Sequence, residues 1–355
     1  MKSGYEICRY RPEYESQVTE LLLDFWGGDF LTNQACLRWK YEDNPYTESP
    51  LAVVALHKGK VKGFRGYFAT RWHIPGENYE TIVLSPGDTF VHPEHRGSGL
   101  SVSMGKMAMN EYASRYKVFL NLSASRSSVP GYLKMGFIPL AMKTYLNRYS
   151  VRGLINFFAK SKGQRKSFRE IPSGEFGDVL VDNKPRPEEM SDVVSGQAIG
   201  RRRLTLLQDK TFFQWRFNNK LQRYIFYYQR KNNKTTGYLV VRLSPSGHRG
   251  YIIDYGASDN ASIERILRFV VNSGHFDVLS ILNVNLTDDF LQILKRAGFK
   301  AGGLMRMAQK KTRGEWPLLV RPVRQDYHED ECFIGGLDIR HNESWQIKEI
   351  CSDGV

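Results

Sequence analysis

Length, composition and charge narrow the class of protein before any motif is considered. The 355 residues exceed what one ordinary hydrophobic core accommodates and are enough for two domains. With 41% hydrophobic residues and no apolar run of about 18 residues, the composition is that of a soluble globular chain and excludes a membrane-spanning one. The net charge of +14 favours an anionic partner, which could be nucleic acid, a membrane surface or a phosphorylated small molecule.

The N-terminal segment and the cysteines indicate the compartment. The first residues carry no apolar signal core and no small-residue cleavage site. Cys8, Cys36, Cys332 and Cys351 are scattered without C-x-x-C spacing, so the sequence predicts neither a disulfide framework nor a zinc site. We therefore expect a cytoplasmic protein.

Two halves of the chain resemble each other. Residues 11–16 recur as residues 186–191, an offset of 175, and Trp39 with its neighbours recurs around Trp215, an offset of 176. Offsets that agree within one residue indicate an internal repeat.

Each tryptophan is followed by the pattern of a β-hairpin. In the first copy, residues 51–56 and 61–70 flank a turn that contains Gly59. In the second copy, residues 223–229 and 237–243 flank a comparable turn. Both halves are therefore predicted to share one α+β fold.

These patterns divide the chain into four segments. We predict a first domain at residues 1–150, a linker at 151–185, a second domain at 186–312 and a C-terminal tail at 313–355. Within the linker, residues 154–166 are either a basic amphipathic helix for an anionic surface or a helix packed on its own domain, and residues 171–187, with three prolines, are predicted to be a loop. The tail, which contains Trp345, is a candidate cover for a pocket, although no motif in it indicates that role.

A strand, a glycine loop and a helix follow one another in the first copy. A β-rich run ends at Val91, Pro93 prevents further ladder pairing, and residues 96–101 contain two glycines before an apolar pattern of helical period. Such a junction directs several backbone N–H groups and the positive end of a helix dipole into one space, which favours a phosphate. A plain strand-to-helix turn is the alternative.

This segment resembles the GNAT acetyltransferases, whose Arg/Gln-x-x-Gly-x-Gly/Ala loop opens a helix at such a junction. Residues 96–101 match that loop, with Ser101 replacing the last small residue. The later GNAT pattern, a strand and then a helix ending Tyr-x-x-x-Gly-Phe, is matched by residues 118–122 and 132–137. The resemblance covers residues 5–150 and implies a three-layer α+β fold, here as two tandem copies around mixed sheets.

The resemblance also implies acetyl-coenzyme A as acyl donor and a set of residues that hold it. The cofactor-binding residues predicted in this way are Val91, Arg96, Gly97, Ser98, Gly99, Leu100 and Ser101. A backbone N–H around residues 90–92 would bind the thioester oxygen. One departure from the family is Ser125, which stands where many members have an asparagine.

The resemblance gives Tyr132 the role of the acid that protonates the leaving thiolate, with a core aromatic as the alternative. A free alkyl amine is mostly protonated at neutral pH, so a carboxylate base is useful. Asp88 is the first candidate and Glu80 the second, while capping of the turn is the alternative for Asp88. His92 and His95 form an H-x-x-H without a third ligand at suitable spacing, so no metal is predicted.

The second copy lacks the arginine and the paired glycines, and it has Leu294 where the first has Tyr132. It is therefore predicted to be a non-catalytic, GNAT-like domain. We expect an N-acetyltransferase acting on a small-molecule amine such as an amino sugar or an aminoglycoside-like compound, with a protein N-terminus or lysine as further candidate acceptors. The alternative is a non-catalytic module that binds acyl-coenzyme A or an anionic surface. Nucleic-acid binding ranks third because the basic residues are spread along the chain.

Overall fold

The computed structural model describes residues 4–151, 153, 170–301, 316–352 and 354. These residues form two mixed β-sheets with helices packed against them, which confirms the predicted α+β fold. The apolar and basic residues of the predicted linker helix, 154–166, lie outside the described residues. In the part of the chain that is described, no helix has the length and apolar character needed to cross a membrane.

The elements are numbered in chain order. The strands are β1 (Tyr5–Arg9), β2 (Ala52–His57), β3 (Lys60–His73), β4 (Glu80–Val91), β5 (Val118–Asn121), β6 (Ile138–Met142), β7 (Tyr145–Tyr149), β8 (Gly174–Phe176), β9 (Val179–Asp182), β10 (Leu204–Leu206), β11 (Tyr224–Lys231), β12 (Lys234–Leu243), β13 (Arg249–Ala257), β14 (Val278–Leu282), β15 (Lys300–Ala301), β16 (Pro317–Pro322), β17 (Phe333–Ile334), β18 (Leu337–Asp338) and β19 (Trp345–Gln346). The helices are α1 (Glu15–Trp26), α2 (Phe30–Leu37), α3 (Leu100–Tyr112), α4 (Val129–Lys134), α5 (Pro187–Ser195), α6 (Lys210–Arg216), α7 (Asn260–Asn272) and α8 (Asp288–Arg296).

The two sheets share one topology. The first runs β1-β2-β3-β4-β5-β16-β6, and the second runs β15-β7-β14-β13-β12-β11-β9-β8. In each, neighbours along this path are antiparallel except for one parallel pair, β4 with β5 and β13 with β14. A parallel pair needs a crossover connection, and α3 and α7 each provide one. The predicted pair of similar folds is therefore present.

The copies exchange a strand. In the first sheet β16, from the tail, lies between β5 and β6, and its Val320 pairs with both Leu120 and Ile138. In the second sheet β7, from the first half of the chain, lies between β14 and β15. The sheets thus do not follow the predicted domain limits, because residues 145–149 belong to the second sheet and residues 204–206 and 317–322 to the first. The loop predicted within the linker is also wrong, since residues 174–176 and 179–182 form strands β8 and β9 of the second sheet.

Trp39 and Trp215 join the copies at equivalent positions. The Trp39 indole donates a hydrogen bond to the Trp215 carbonyl at 2.8 Å, and the Trp215 indole donates one to the Trp39 carbonyl at 2.9 Å. Their rings stack with centroids 5.7 Å apart. This reciprocal contact relates the two halves by an approximate two-fold axis, as expected for a repeat whose copies face each other.

The tail packs against both copies. Trp345 is fully buried, its ring meets that of Trp72 edge to face at 5.2 Å, and its indole donates to the Ile339 carbonyl. Lys348 reaches the second copy, where its Nζ lies 2.9 Å from the carboxylate of Asp254. The tail therefore fastens the two halves together.

Candidate functional site

Strands β4 and β5 separate on one side of the molecule. They pair only at Val83 with Val118 and at Leu84 with Phe119, after which β4 continues to Val91 paired with β3 alone. A cavity of about 1080 Å³ opens at this gap. It is lined by the end of β4, the glycine loop, α4 and residues of the second copy.

The glycine loop has the backbone that its sequence predicts. Gly97 and Gly99 have φ angles of +76° and +78°, a region that favours glycine, and a Cβ at either position would meet no atom within 4 Å. Gly99 precedes α3, and no side chain caps the first turn of that helix. Its N-terminal N–H groups are therefore left for a ligand, and the helix dipole favours an anionic one.

Most of the predicted cofactor-binding residues line the cavity. The residues on its wall are Val91, Arg96, Gly97, Gly99, Leu100 and Ser101. Ser98 is not part of the wall, and its hydroxyl donates to the His95 carbonyl at 2.9 Å. Arg96 donates from Nε to the Val91 carbonyl at 3.0 Å, which ties the loop to the end of β4.

In the second copy, a side chain caps the N-terminus of α7, the helix equivalent to α3. There the Asp259 carboxylate accepts a hydrogen bond from the Ser262 N–H at 2.7 Å and caps α7. That bond holds the pKa of Asp259 below its usual range, so the cap is an anion. A phosphate at this position would meet a negative charge, which agrees with the predicted loss of the anion site in this copy.

Tyr132 lies on α4 and lines the same cavity as the loop. Its side chain is buried, and its ring meets Phe137 edge to face with centroids 4.9 Å apart. The guanidinium carbon of Arg65, a β3 residue, lies 5.0 Å from the centre of the ring. The prediction from sequence did not include Arg65.

Asp88 lies at an irregularity of β4 and is buried. Its carboxylate accepts hydrogen bonds from Lys40 Nζ at 2.5 Å, the Tyr41 hydroxyl at 2.7 Å and the Trp26 indole at 3.0 Å. Gly66 stands opposite, where a Cβ would collide with the Tyr41 side chain. Asp88 lines the cavity as half of a buried ion pair.

Glu80 is at the far end of β4. It is half exposed, lies 3.8 Å from Arg71 in an ion pair, and is not among the residues of the cavity wall. The structure thus brings Asp88, and not Glu80, to the loop and Tyr132.

The histidines of the H-x-x-H lie beside the loop. The ligand atoms of His92, Glu94 and His95 are within 4.8 Å of one another, a spacing that sequence analysis did not anticipate for Glu94. Glu94 is exposed, and Nδ1 of His95 is hydrogen-bonded to the Tyr5 hydroxyl at 2.8 Å. Removal from water and then the nearby cations lower the pKa of His95.

The second copy supplies one wall of the cavity. Its contribution is Asn219, Leu221, Gln222, Arg223, Arg242, Leu243, Ser244 and Pro245. Asn219 also accepts a hydrogen bond from the Cys36 thiol at 3.7 Å, which connects this wall to the first copy. The cavity therefore spans the junction of the two copies.

Comparison with known proteins agrees with this geometry. Residues 9–139 match the family model described as an acetyltransferase (GNAT) domain. No curated protein matches the sequence. Residues 9–139 are therefore similar to an acetyltransferase domain of the GNAT family, and this similarity supports an enzyme of the transferase class.

Solved structures share the fold across nearly the whole chain. A probable N-acyltransferase from Enterococcus faecalis is 11% identical, with 91% of this chain and 73% of that one covered and a TM-score of 0.58. A GCN5-related N-acetyltransferase from Anabaena variabilis is 13% identical, with coverages of 90% and 73% and a TM-score of 0.58. Eis1 from Mycobacterium abscessus is 15% identical, with coverages of 90% and 73% and a TM-score of 0.53. At these identities the likeness is one of fold.

Proposed function

We propose that the protein transfers an acetyl group from acetyl-coenzyme A to the amine of a small molecule such as an amino sugar. The observation that carries this proposal is that the uncapped glycine loop and Tyr132 line one cavity. An anion-binding helix start and a proton donor are the two groups that this transfer needs close together.

The residues of the cavity fit the donor. The loop N–H groups and Arg96 suit the pyrophosphate, and the open space above Gly97 and Gly99 admits it. At the end of β5, the buried amide nitrogen of Asn121 has no hydrogen-bond partner among the described residues. A buried donor without a partner is costly, so Asn121 supports a ligand with amide carbonyls, as in the pantetheine arm.

The transfer requires three groups of the chain: a hydrogen-bond donor for the thioester oxygen, an acid for the thiolate and a base for the amine. The end of β4 would offer a backbone N–H near Val91 to the thioester oxygen, since the His92 N–H already donates to the Lys62 carbonyl at 2.9 Å, and the wall of the second copy would hold the acceptor nearby. As the amine nitrogen attacks the carbonyl carbon and the carbon–sulfur bond breaks, Tyr132 gives its proton to the thiolate. Asp88, the carboxylate among the described residues of the wall, is our candidate for taking the proton of the amine.

The charges on the wall favour an acceptor with few positive groups. Five cationic side chains and one carboxylate belong to the described lining, namely Lys40, Arg65, Arg96, Arg223, Arg242 and Asp88. An acceptor with several ammonium groups would bring like charges together, which costs affinity. An amino sugar with a neutral or anionic body therefore fits better than an aminoglycoside.

Release of coenzyme A in the presence of an amine tests the proposal. Glucosamine, glucosamine 6-phosphate and kanamycin are offered with acetyl-coenzyme A, and the free thiol and the mass of the product are measured. We expect acetylation of a monoamine and none of kanamycin. Tyr132→Phe should lower kcat by about 100-fold or more, as removal of a positioned general acid does.

The matched control is Tyr46→Phe. Tyr46 is buried in the same copy, its hydroxyl has no partner among the described residues, and it does not line the cavity. Unchanged kcat in Tyr46→Phe together with the loss in Tyr132→Phe supports the assignment. Equal rates in both variants would refute the role of Tyr132, and no amine-dependent release from folded protein would refute the transferase proposal.

A further inference from the structure

Three arginines of the described chain are almost completely buried. They are Arg65, Arg216 and Arg321, each with 2% or less of its surface exposed. Burial of a guanidinium is unfavourable unless its charge and its donors are compensated. The burial of each of these three charges therefore needs a structural explanation.

Two of these arginines are explained by the C-terminal tail. Arg216 donates to the Ser352 carbonyl at 2.8 Å, and Arg321, itself a tail residue, donates to the Met135 carbonyl of the first copy and to the Arg324 carbonyl at 2.7 Å. Main-chain carbonyls satisfy a guanidinium and are themselves satisfied by it. These two residues hold the tail in place.

Arg65 differs because it lines the cavity and its partners are mostly phenols. Its Nε donates to the Tyr67 hydroxyl at 2.8 Å, one Nη donates to the Ser101 carbonyl at 3.3 Å, and the guanidinium lies over the Tyr132 ring. Among the described residues no carboxylate forms an ion pair with it. A buried cation thus connects the glycine loop to the proton donor.

The surroundings of Arg65 are shaped to admit it. Helix α3 has a glycine in its interior, Gly105, where a Cβ would lie 3.4 Å from the guanidinium carbon and 2.6 Å from the Met135 sulfur. Burial lowers the pKa of Arg65, but the adjacent phenols of Tyr132 and Tyr67 outweigh it, and the net pKa is raised. Arg65 therefore stays charged in the cavity wall.

From this arrangement we infer that Arg65 is a positioning residue that stabilises the phenolate formed when Tyr132 gives its proton to the leaving thiolate. The inference rests on the proposed function. When the carbon–sulfur bond breaks, the electron pair goes to sulfur and the Tyr132 proton follows it. The phenolate faces the guanidinium until it recovers a proton, which balances the one lost by the amine.

A double-mutant cycle tests this inference. Arg65→Met, Arg65→Lys, Tyr132→Phe and the double variant Arg65→Met/Tyr132→Phe are assayed with the amine found above. Arg65→Met should lower kcat by about 10- to 100-fold, which is less than the loss expected for Tyr132→Phe. The KM for acetyl-coenzyme A should change little. Arg65→Lys should recover part of the rate because it keeps the charge.

The cycle separates action through Tyr132 from a general structural role. In the Tyr132→Phe background, Arg65→Met should change kcat by less than about threefold, since the group it serves is gone. Equal losses in both backgrounds would overturn the inference. The matched control is Arg71→Met, an arginine on the same strand whose guanidinium lies 5.4 Å from the Tyr46 ring outside the cavity.

A second readout needs no acceptor and so distinguishes failure of this inference from failure of the proposed function. The phenolate absorbance of wild type minus that of Tyr132→Phe gives the ionisation of Tyr132 in unliganded protein. The same difference is measured in the Arg65→Met background. The midpoint should move to higher pH without Arg65, because a cation beside a phenol favours its ionised form. An unchanged midpoint would overturn the inference whether or not any amine is acetylated.

Discussion

Two aspartates occupy corresponding positions in the two copies and carry similar bonds. Asp88 pairs with Lys40, and Asp254 pairs with Lys348. Each also accepts a hydrogen bond from a tyrosine. Because the second copy lacks the glycine loop and has Leu294 in place of Tyr132, we assign its buried pair to the fold. The pair in the first copy has at least that role, and the proposed role of Asp88 as a base is additional to it.

Asp88→Asn should therefore destabilise the protein strongly. It leaves the Lys40 ammonium buried opposite a neutral amide, and breaking a buried pair in this way costs about 3–5 kcal/mol in the free energy of unfolding. The free energy is measured by urea denaturation. Glu80→Gln is the control, because its exposed pair contributes about 0–1 kcal/mol. Equal stabilities of the two variants would contradict the network that the structure shows.

The catalytic part of the Asp88 assignment needs the pH dependence of kcat. If Asp88 takes the proton of the amine, the rate deficit of Asp88→Asn shrinks as pH rises towards the pKa of the amine, about 10 for an alkyl amine, because a growing fraction of the amine is already neutral. A deficit that is the same at every pH would assign Asp88 to the fold alone.

At the residue scale, the sequence predicts the parts of the site that are local. Gly97, Gly99 and Tyr132 belong to short motifs with fixed spacing, and the structure brings them to one cavity. Arg65 could not be found in this way, since a single arginine in a strand is usually taken for an outward-facing residue. The sequence gives one indication that Arg65 is buried. The residues next to it in β3, Phe64 on one side and residues 67–69 on the other, are mostly apolar.

At the element scale, the repeat predicts two similar folds but not their exchanged strands. A five-residue β pattern such as β7 shows that a strand forms and which faces it has, but not which sheet it joins. The partner is set by contacts far apart in sequence, such as Leu146 with Ile281 and Leu319 with Asn121. Domain limits derived from sequence similarity therefore cut through both sheets.

The exchange predicts that the two halves unfold together. Removal of either half takes an interior strand from the other sheet, so residues 1–150 alone should show no cooperative unfolding transition. The full chain should give one transition in urea, with coincident midpoints by far-ultraviolet circular dichroism and tryptophan fluorescence. Co-expression of residues 1–150 with residues 151–355 should restore it. A folded fragment 1–150, or two separate transitions of the full chain, would contradict this account.

At the scale of the whole molecule, the two copies have different tasks around one cavity. The first provides an open helix start and Tyr132, the proposed proton donor, whereas the second caps its own helix with Asp259 and provides a wall. The reciprocal bonds of Trp39 and Trp215 and the tail hold these parts in one arrangement. The cavity thus depends on the complete chain, although the motifs that identify it lie in the first copy.

Calorimetric titration of acetyl-coenzyme A into wild type, Gly99→Trp and Gly59→Trp tests the central claim most directly. Gly59 is the matched control, because it also has a positive φ angle, +73°, and open space at its Cβ, but lies away from the cavity. The account predicts binding in the micromolar range for wild type and Gly59→Trp, and its loss in folded Gly99→Trp, where the indole fills the phosphate space. Absence of binding to folded wild type, or equal binding by all three proteins, would contradict it.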